Sequence, residues 1–323
     1  MSKNEGLIES IEGKIKRIYA LEESVRKYIN TTRYQNDLIK NSDNWNQICS
    51  SLDTIGDTLY SQHDYLSAEY PNSDGLKYIF TYGLLQALFI QQDAMRHLSE
   101  SFDIQFELTD RLKEIRTLRN ASIGHPSKNK VKGTTYYNYL SRMSLSKSGF
   151  TLMRSFDQGN DEFIDVEIYP IIHDQLQDIE ASYKLLAETL EEADRMHREK
   201  YKDSLLSDIF HSSMSYTFSK VAEGIHSPHS NNVTFALSML GSIQKTYAKF
   251  EESLSERGDL NEYTKYDLDE YNHALKRLEE YLSGNEADLS DIDARIYHFY
   301  VREQHKHFVD IAAEVDENYS EKV

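Results

Sequence analysis

Proline is scarce in this chain, and its scarcity limits the folds available to it. Only four of the 323 residues are proline, at positions 71, 126, 170 and 228. A proline inside a helix costs about 3 kcal/mol, because its ring fixes φ and removes a backbone donor. Three of the four lie in turn-like tracts, and Pro170 opens a new helical pattern. The chain is therefore expected to form long helices between these points.

Apolar residues recur every three or four positions between the prolines, which is the period of an amphipathic helix. The first such stripe contains Ile8, Ile11, Ile15, Ile18, Leu21, Val25 and Tyr28. The pattern predicts helices over residues 8–40, from 43 onwards, 75–101, 107–124, from 170 onwards, 268–282 and 289–314. The heptad-like spacing at 268–282 fits either a core face or an oligomer seam.

One segment, about 134–168, departs from the helical period. It is rich in β-branched and aromatic residues and contains the turn tracts Lys147-Ser-Gly and Asp157-Gln-Gly-Asn-Asp. We expect strands at 135–144, 149–156 and 162–169. The predicted fold is mainly α, a helical bundle with a small antiparallel β-hairpin or meander insertion and further C-terminal helices. Glycine-rich nucleotide-binding motifs are absent from the sequence. The predicted domains are 1–202 and 203–323, the second packed on the first.

Composition narrows the functional classes. The chain has 54 acidic and 36 basic residues, a formal charge of −18, which disfavours a protein that binds nucleic acid over its whole surface. Cys49 is the only cysteine, so an internal disulfide is excluded. The most apolar run, residues 78–90, is too short for a bilayer and contains Thr81 and Gln86. The N-terminal segment has no apolar signal core, so a cytoplasmic protein without membrane contact is expected.

Charge is distributed unevenly along the chain. Residues 115–156 contain eight Lys or Arg and no Asp or Glu, so the remainder carries −26. A negatively charged partner such as a phosphate backbone would explain an acid-free stretch in an acidic protein. The alternative is a basic surface that meets an acidic surface of this chain or of another protein.

Within this stretch lies the segment Leu118-Arg-Asn-Ala-Ser-Ile-Gly-His-Pro. On an ideal helix, Arg119 and His125 lie about 120° apart, because successive residues turn by about 100°. They share a face only if the helix ends or distorts near Gly124. Glycine permits such a departure, and Pro126 disfavours an α conformation at His125.

This segment resembles the motif of the HEPN superfamily. Ribonucleases of that superfamily are helical domains with an arginine, usually followed by a polar residue, and a histidine four to six positions later. Arg119-Asn120 with His125 fits this pattern, and the resemblance covers about residues 1–200, chiefly 107–127. It implies RNA cleavage without a metal or cofactor, commonly in a homodimer that joins two such motifs, and often in toxin–antitoxin or phage-defence systems.

The residues suit that chemistry. Histidine, with an ordinary pKa near 6.5, can exchange a proton with a ribose 2′-hydroxyl or a leaving 5′-oxygen. An arginine fork can neutralise charge on the phosphorane. We therefore predict His125 as general acid or base, Arg119 as transition-state stabiliser and Asn120 as orienting residue. The predicted RNA-backbone contacts are Arg116, Lys128, Lys130, Lys132 and Arg142.

Two other functions fit the same residues. A histidine after glycine at a helix end can simply interact with the helix dipole. The chain would then be a non-catalytic HEPN-like module that binds nucleic acid or a regulatory protein, or an unrelated helical scaffold. Loss of RNA cleavage on His125→Ala would favour the ribonuclease, whereas RNA binding without fragments would favour the module.

Overall fold

The structure is a computed structural model that describes residues 3–39, 42–124, 127–131, 134–157, 159–227, 230–284 and 289–320. The helices in these ranges are α1 (Lys3–Ile29), α2 (Thr32–Ile39), α3 (Ser42–Ser67), α4 (Asp74–Glu100), α5 (Asp110–Arg119), α6 (Ile168–Tyr201), α7 (Met214–His226), α8 (Ser230–Arg257), α9 (Glu262–Ser283) and α10 (Asp291–Tyr319). The strands are β1 (Asn129–Val131), β2 (Thr134–Leu140), β3 (Gly149–Phe156) and β4 (Glu162–Glu167). The predicted mainly α fold with a β insertion is confirmed.

The chain divides into two compact units. Unit 1 comprises Met1–Ile29 and Asn41–Glu191, and unit 2 comprises Asn30–Lys40 and Glu192–Val323. The division falls inside α6, whereas the sequence places the domain boundary after residue 202, where that helix ends. No proline or glycine interrupts residues 171–201, so local composition carries no signal for a division there.

Unit 1 buries the helical stripes that the sequence predicts. In α1 and α3, which pack against each other, the positions spaced by three or four are buried. These are Ile11, Ile15, Ile18, Val25, Ile48, Leu52, Ile55 and Leu59. Helix α4 packs against both α3 and α5. The apolar period thus identified the core faces of these helices correctly.

The predicted first helix is too long. It ends at Ile29, and α2 begins at Thr32 with a hydrogen bond from the Gln35 N–H to the Thr31 carbonyl at 3.0 Å. The intervening Asn30 and Thr31 have low helix propensity, because their side chains compete for backbone hydrogen bonds or lose rotamer freedom. The apolar stripe alone did not reveal this break.

The β insertion is a four-stranded antiparallel sheet in the order β1-β2-β3-β4, one strand more than predicted. Strand β1 has only three residues and too few alternating positions to stand out in the sequence. The predicted 149–156 strand matches β3, but β2 ends at Leu140 and a 3-10 turn follows at Arg142–Ser144. The predicted strand 162–169 is two residues too long: β4 ends at Glu167, and α6 begins at Ile168. Pro170 therefore lies in the first turn of α6. Proline is tolerated in a first helical turn, where its missing N–H has no intrahelical partner.

Unit 2 is helical, and its core is rich in aromatic rings. Tyr247 and Tyr271 lie 4.0 Å apart by ring centroid, and Phe308 lies within 5.3 Å of both. The heptad-like positions of α9 are buried in this core, which settles the alternative in favour of a core face. They are Leu268, Tyr271, Leu275, Leu278 and Leu282. No helix in the described ranges combines the length and hydropathy required to cross a bilayer.

Candidate nucleic-acid interface

Helix α5 carries the predicted motif at its C-terminal end. Its first turn is capped by Thr109, whose hydroxyl accepts from the Leu112 N–H at 3.2 Å. Leu112 and Ile115 are buried. From Asn120 to Gly124 the backbone continues as a π-helical turn. Turns of this kind are rare and occur frequently at functional sites. The regular α-helical geometry therefore ends at Arg119 and gives way to a π-helical turn that begins at Asn120, while the position of His125 lies outside the described residues.

Arg119 is held in place from two sides. Its Nε and Nη2 donate to the Gln86 side-chain oxygen at 3.1 and 2.6 Å, and its Nη1 donates to Asn120 Oδ1 at 3.0 Å. The guanidinium carbon lies 4.4 Å from the ring centroid of Phe89. These contacts use three of the five N–H donors of an arginine. The guanidinium is half-buried and oriented before any ligand arrives.

Arg116, one helical turn earlier, is paired within the protein. Its two terminal nitrogens donate to Asp93 Oδ1 at 2.9 and 2.8 Å, and its guanidinium carbon lies 4.2 Å from the Phe89 centroid. Asp93 therefore compensates much of the charge that the sequence assigns to RNA binding. This geometry gives Arg116 a role in bracing α5 against α4, and its contact with RNA stays a prediction.

Three residues of α4, at positions i, i+3 and i+7, receive these two arginines. Gln86 and Asp93 accept the hydrogen bonds, and Phe89 provides the ring between them in sequence. Residues with this spacing lie on one face of a helix. The ring quadrupole attracts both cations, and the single carboxylate offsets their mutual repulsion. Sequence reasoning missed all three α4 residues as site residues, although Gln86 stands out as a polar residue in the most apolar run.

A buried amide network supports this face of α4 from inside unit 1. Gln62, Gln91, Gln92 and Gln175 are all fully buried. Gln175 donates to Gln91 Oε1 and to the Leu88 carbonyl, both at 2.8 Å, and accepts from Gln92 Nε2 at 2.8 Å. Gln62 Nε2 donates to Gln91 Oε1 at 3.0 Å. These hydrogen bonds join α4 to α3 through Gln62 and to α6 through Gln175, while Gln62 Oε1 and Gln91 Nε2 are buried without a partner in the described structure. Paired buried amides favour one arrangement of the elements that they join.

The other predicted site residues are placed as follows. Asn120 is exposed, with its amide oxygen facing Arg119, so in this structure it orients the arginine. Lys128 and Arg142 are exposed. The backbone of Lys130 lies in β1. His125 and Lys132 lie outside the described residues, so their predicted roles are neither supported nor contradicted.

The acid-free stretch is less basic in space than in sequence. Arg154 lies 3.7 Å from Glu162 on β4, and Lys147 donates to the carbonyls of Leu66 and Ala68 at the end of α3. Arg116 is likewise paired with Asp93. Together with Arg119, which is bound by Gln86 and Asn120, four of the eight cations therefore have partners inside the protein, and for Arg116 and Arg154 that partner is a carboxylate. A window along the sequence cannot detect such compensation, because the partners come from other elements.

Two clefts flank α5. One, of about 560 Å³, has an aliphatic lining with four carboxylates, Glu114, Asp165, Glu167 and Asp174, against the single cation Arg111. Its charge would repel a phosphate backbone. The second, of about 490 Å³, lies between α5 and the sheet, and its lining includes Lys113 and Arg154 with two carboxylates, Asp110 and Glu114. Nearby, the Ser122 hydroxyl and the Asn138 amide nitrogen are buried without hydrogen-bond partners in the described structure.

No protein-family model, curated protein or solved structure matches this chain significantly.

Proposed function

We propose that this protein is a metal-independent endoribonuclease in which Arg119 stabilises the transition state and His125 transfers protons. The observation that carries the proposal is the fixed guanidinium of Arg119, held by Gln86, Asn120 and Phe89 at the start of the π-helical turn that leads to His125. Donors oriented in advance stabilise developing charge without reorganisation.

The reaction follows from these groups. A neutral histidine takes the proton from a ribose 2′-hydroxyl, and the 2′-oxygen attacks the adjacent phosphorus. Negative charge on the phosphorane is met by the N–H donors of Arg119 that the described contacts leave available. The P–O5′ bond then breaks, and a protonated histidine supplies the proton to the leaving oxygen. The products carry a 2′,3′-cyclic phosphate and a 5′-hydroxyl.

RNA is the proposed partner, approached through the exposed cations of the 115–156 segment. Lys128 and Arg142 are exposed and serve as backbone contacts in this proposal, together with Lys130 and Lys132. A second copy of the chain is the other proposed partner. Helix α4 exposes Leu76, Ile79 and Ile90 along the stripe that also contains Gln86, so an apolar surface adjoins Arg119. Patches of this kind favour association.

The proposed location is the cytoplasm, as the N-terminal segment suggests. The proposed toxin or phage-defence role rests on the HEPN resemblance alone. The competing function is a non-catalytic module that binds RNA or protein. One observation favours this non-catalytic module: Arg116 is paired with Asp93 inside the protein. An arginine whose only role is to hold α5 against α4 would be paired in the same way.

Cleavage rates of paired variants separate these functions. We expect His125→Ala to abolish cleavage of mixed RNA, whereas His63→Ala, an exposed histidine of α3, leaves the rate unchanged. Arg119→Lys should lower the rate by about a hundredfold, because lysine cannot reproduce the fork. The matched change Arg111→Lys on α5 should have little effect. RNA binding without fragments in the unmodified protein would favour the binding module.

Self-association has its own test. Ile79→Glu places a charge within the exposed stripe of α4 and should shift the chain from dimer to monomer in sedimentation velocity. Leu205→Glu, a change at an exposed leucine of unit 2, is the control. A monomeric unmodified protein would contradict the dimer.

A further inference from the structure

A second polar site lies between α1 and α3, in a different part of unit 1 from Arg119. The α1–α3 cleft is defined by Tyr19 and Glu22 on α1 and by Asp53, Asp57 and Tyr60 on α3. Its volume is about 540 Å³, which falls within the range of small-molecule pockets. Nothing in the proposed ribonuclease mechanism uses these residues.

The cleft is strongly acidic. Glu22, Glu23, Asp53 and Asp57 contribute four carboxylates to its lining, against the single guanidinium of Arg26. Arg26 is already engaged, because its Nε donates to Glu22 Oε1 at 2.8 Å and its Nη2 donates to Asp53 Oδ1 at 2.9 Å. Three negative charges therefore remain uncompensated in the lining.

One oxygen of the Glu22 carboxylate, Oε2, lacks a donor, although Oε1 accepts from Arg26. Glu22 is only 7% exposed, and its Oε2 is buried with no hydrogen-bond partner in the described structure. Such an oxygen is costly to bury, because it loses water without gaining a donor. A donor from outside the chain, a ligand or a water molecule, would supply the hydrogen bond that this oxygen lacks.

Two tyrosine rings form the aromatic part of the cleft. The centroids of Tyr19 and Tyr60 lie 5.9 Å apart with the rings inclined by 46°. Burial, with the neighbouring Tyr60 and Glu22, raises the pKa of Tyr19 to about 12, so this phenol stays neutral. Neutral aromatic faces beside carboxylates attract cations that carry an apolar body.

We propose that the α1–α3 cleft binds a small organic cation, an alkylguanidinium or alkylammonium, whose N–H groups donate to Glu22 Oε2. A divalent metal ion fits less well, because no group of three or more His, Cys, Asp or Glu in the described ranges is arranged to hold one. The aromatic pair also favours a cation with a hydrocarbon chain over a hydrated ion.

The full chain can be titrated with butylguanidinium and with its neutral analogue butylurea, by ligand-observed NMR or calorimetry. We expect saturable binding of butylguanidinium that is at least about tenfold tighter than that of butylurea, because only the cation meets the carboxylates. Equal affinity for the two compounds, or no binding, would overturn the proposal and indicate that water occupies the cleft.

Paired variants locate the binding. Glu22→Gln should lower the affinity for butylguanidinium by about tenfold. Glu9→Gln, the same change at an exposed position of α1, should leave that affinity unchanged. Gly56 lines the cleft, and a Cβ added there meets no atom within 4 Å. A Cβ is therefore accommodated at position 56. We expect Gly56→Leu to abolish binding, and its Tm, measured beside that of the unmodified protein, verifies that the fold is kept.

Gly6→Leu, at another glycine where a Cβ meets nothing within 4 Å, is the control for this change. Retained affinity in Gly56→Leu would place the ligand elsewhere and refute the assignment.

Discussion

The buried amide network of Gln62, Gln91, Gln92 and Gln175 predicts how much stability unit 1 loses when one amide is removed. Gln175→Leu nearly preserves side-chain volume but removes three hydrogen bonds of 2.8 Å, to Leu88, Gln91 and Gln92. The orphaned Gln92 amide costs about 1 to 3 kcal/mol and each other lost bond about 1 kcal/mol, while the leucine regains about 1 kcal/mol of burial. We expect a loss of about 2 to 4 kcal/mol in the free energy of unfolding of unit 1.

Fluorescence of Trp45, the single tryptophan, which lies in α3 of unit 1, reports this loss in urea. In a thermal scan, Tm should fall by about 5 to 12 °C, the scale for a unit of this size. Gln177→Leu, at an exposed position of the same helix, is the matched control and should change the free energy by less than about 0.5 kcal/mol. Equal midpoints for the two variants would refute the reasoning that the network stabilises unit 1.

Three further predictions concern single contacts. Gln86→Leu removes two hydrogen bonds that orient Arg119. The initial rate of RNA cleavage should therefore fall by about tenfold or more while the fold is kept. An unchanged rate would exclude Gln86 as a positioning residue. Ser290→Ala removes the capping box with Asp293 and should destabilise the start of α10 by about 1 kcal/mol. Backbone amides in the first turns of α10 should then exchange their hydrogens faster. Unchanged exchange rates would contradict this prediction. Burial lowers the pKa of His197 to about 4, so the folded state binds fewer protons than the unfolded state between about pH 4 and 6.5. Stability should therefore fall by about 1 to 2 kcal/mol as pH drops through that window, after allowance for solvent screening, and His197→Gln should remove this part of the slope in urea unfolding.

The helical core was predictable because its signal is local. Ile48, Leu52 and Ile55 are buried as their spacing indicates, since a helix brings residues three and four apart onto one face. The break after Ile29 was not predictable from that stripe, because two residues outside it ended the helix. Strand β1 was missed because a three-residue strand derives its stability from its partner β2.

The site was predictable only in part. Arg119 and Asn120 are neighbours in sequence, and their contact follows from that adjacency. Gln86 and Asp93 come from α4, more than twenty residues away, and no spacing rule connects them to α5. The same long-range pairing neutralises Arg116, so a count of charges along the chain overstated the basic surface. Tertiary partners decide which cations remain available to a ligand.

The chemical ends of the RNA fragments test most directly the central claim, that His125 drives cleavage by the 2′-hydroxyl. Purified full-length protein should be incubated with mixed RNA in EDTA, beside the His125→Ala variant, and the fragment ends analysed. The proposed mechanism predicts 2′,3′-cyclic phosphate and 5′-hydroxyl ends that are absent from the variant reaction, because the 2′-oxygen is the nucleophile. Fragments with 3′-hydroxyl and 5′-phosphate ends, or the same fragments from His125→Ala, would contradict it.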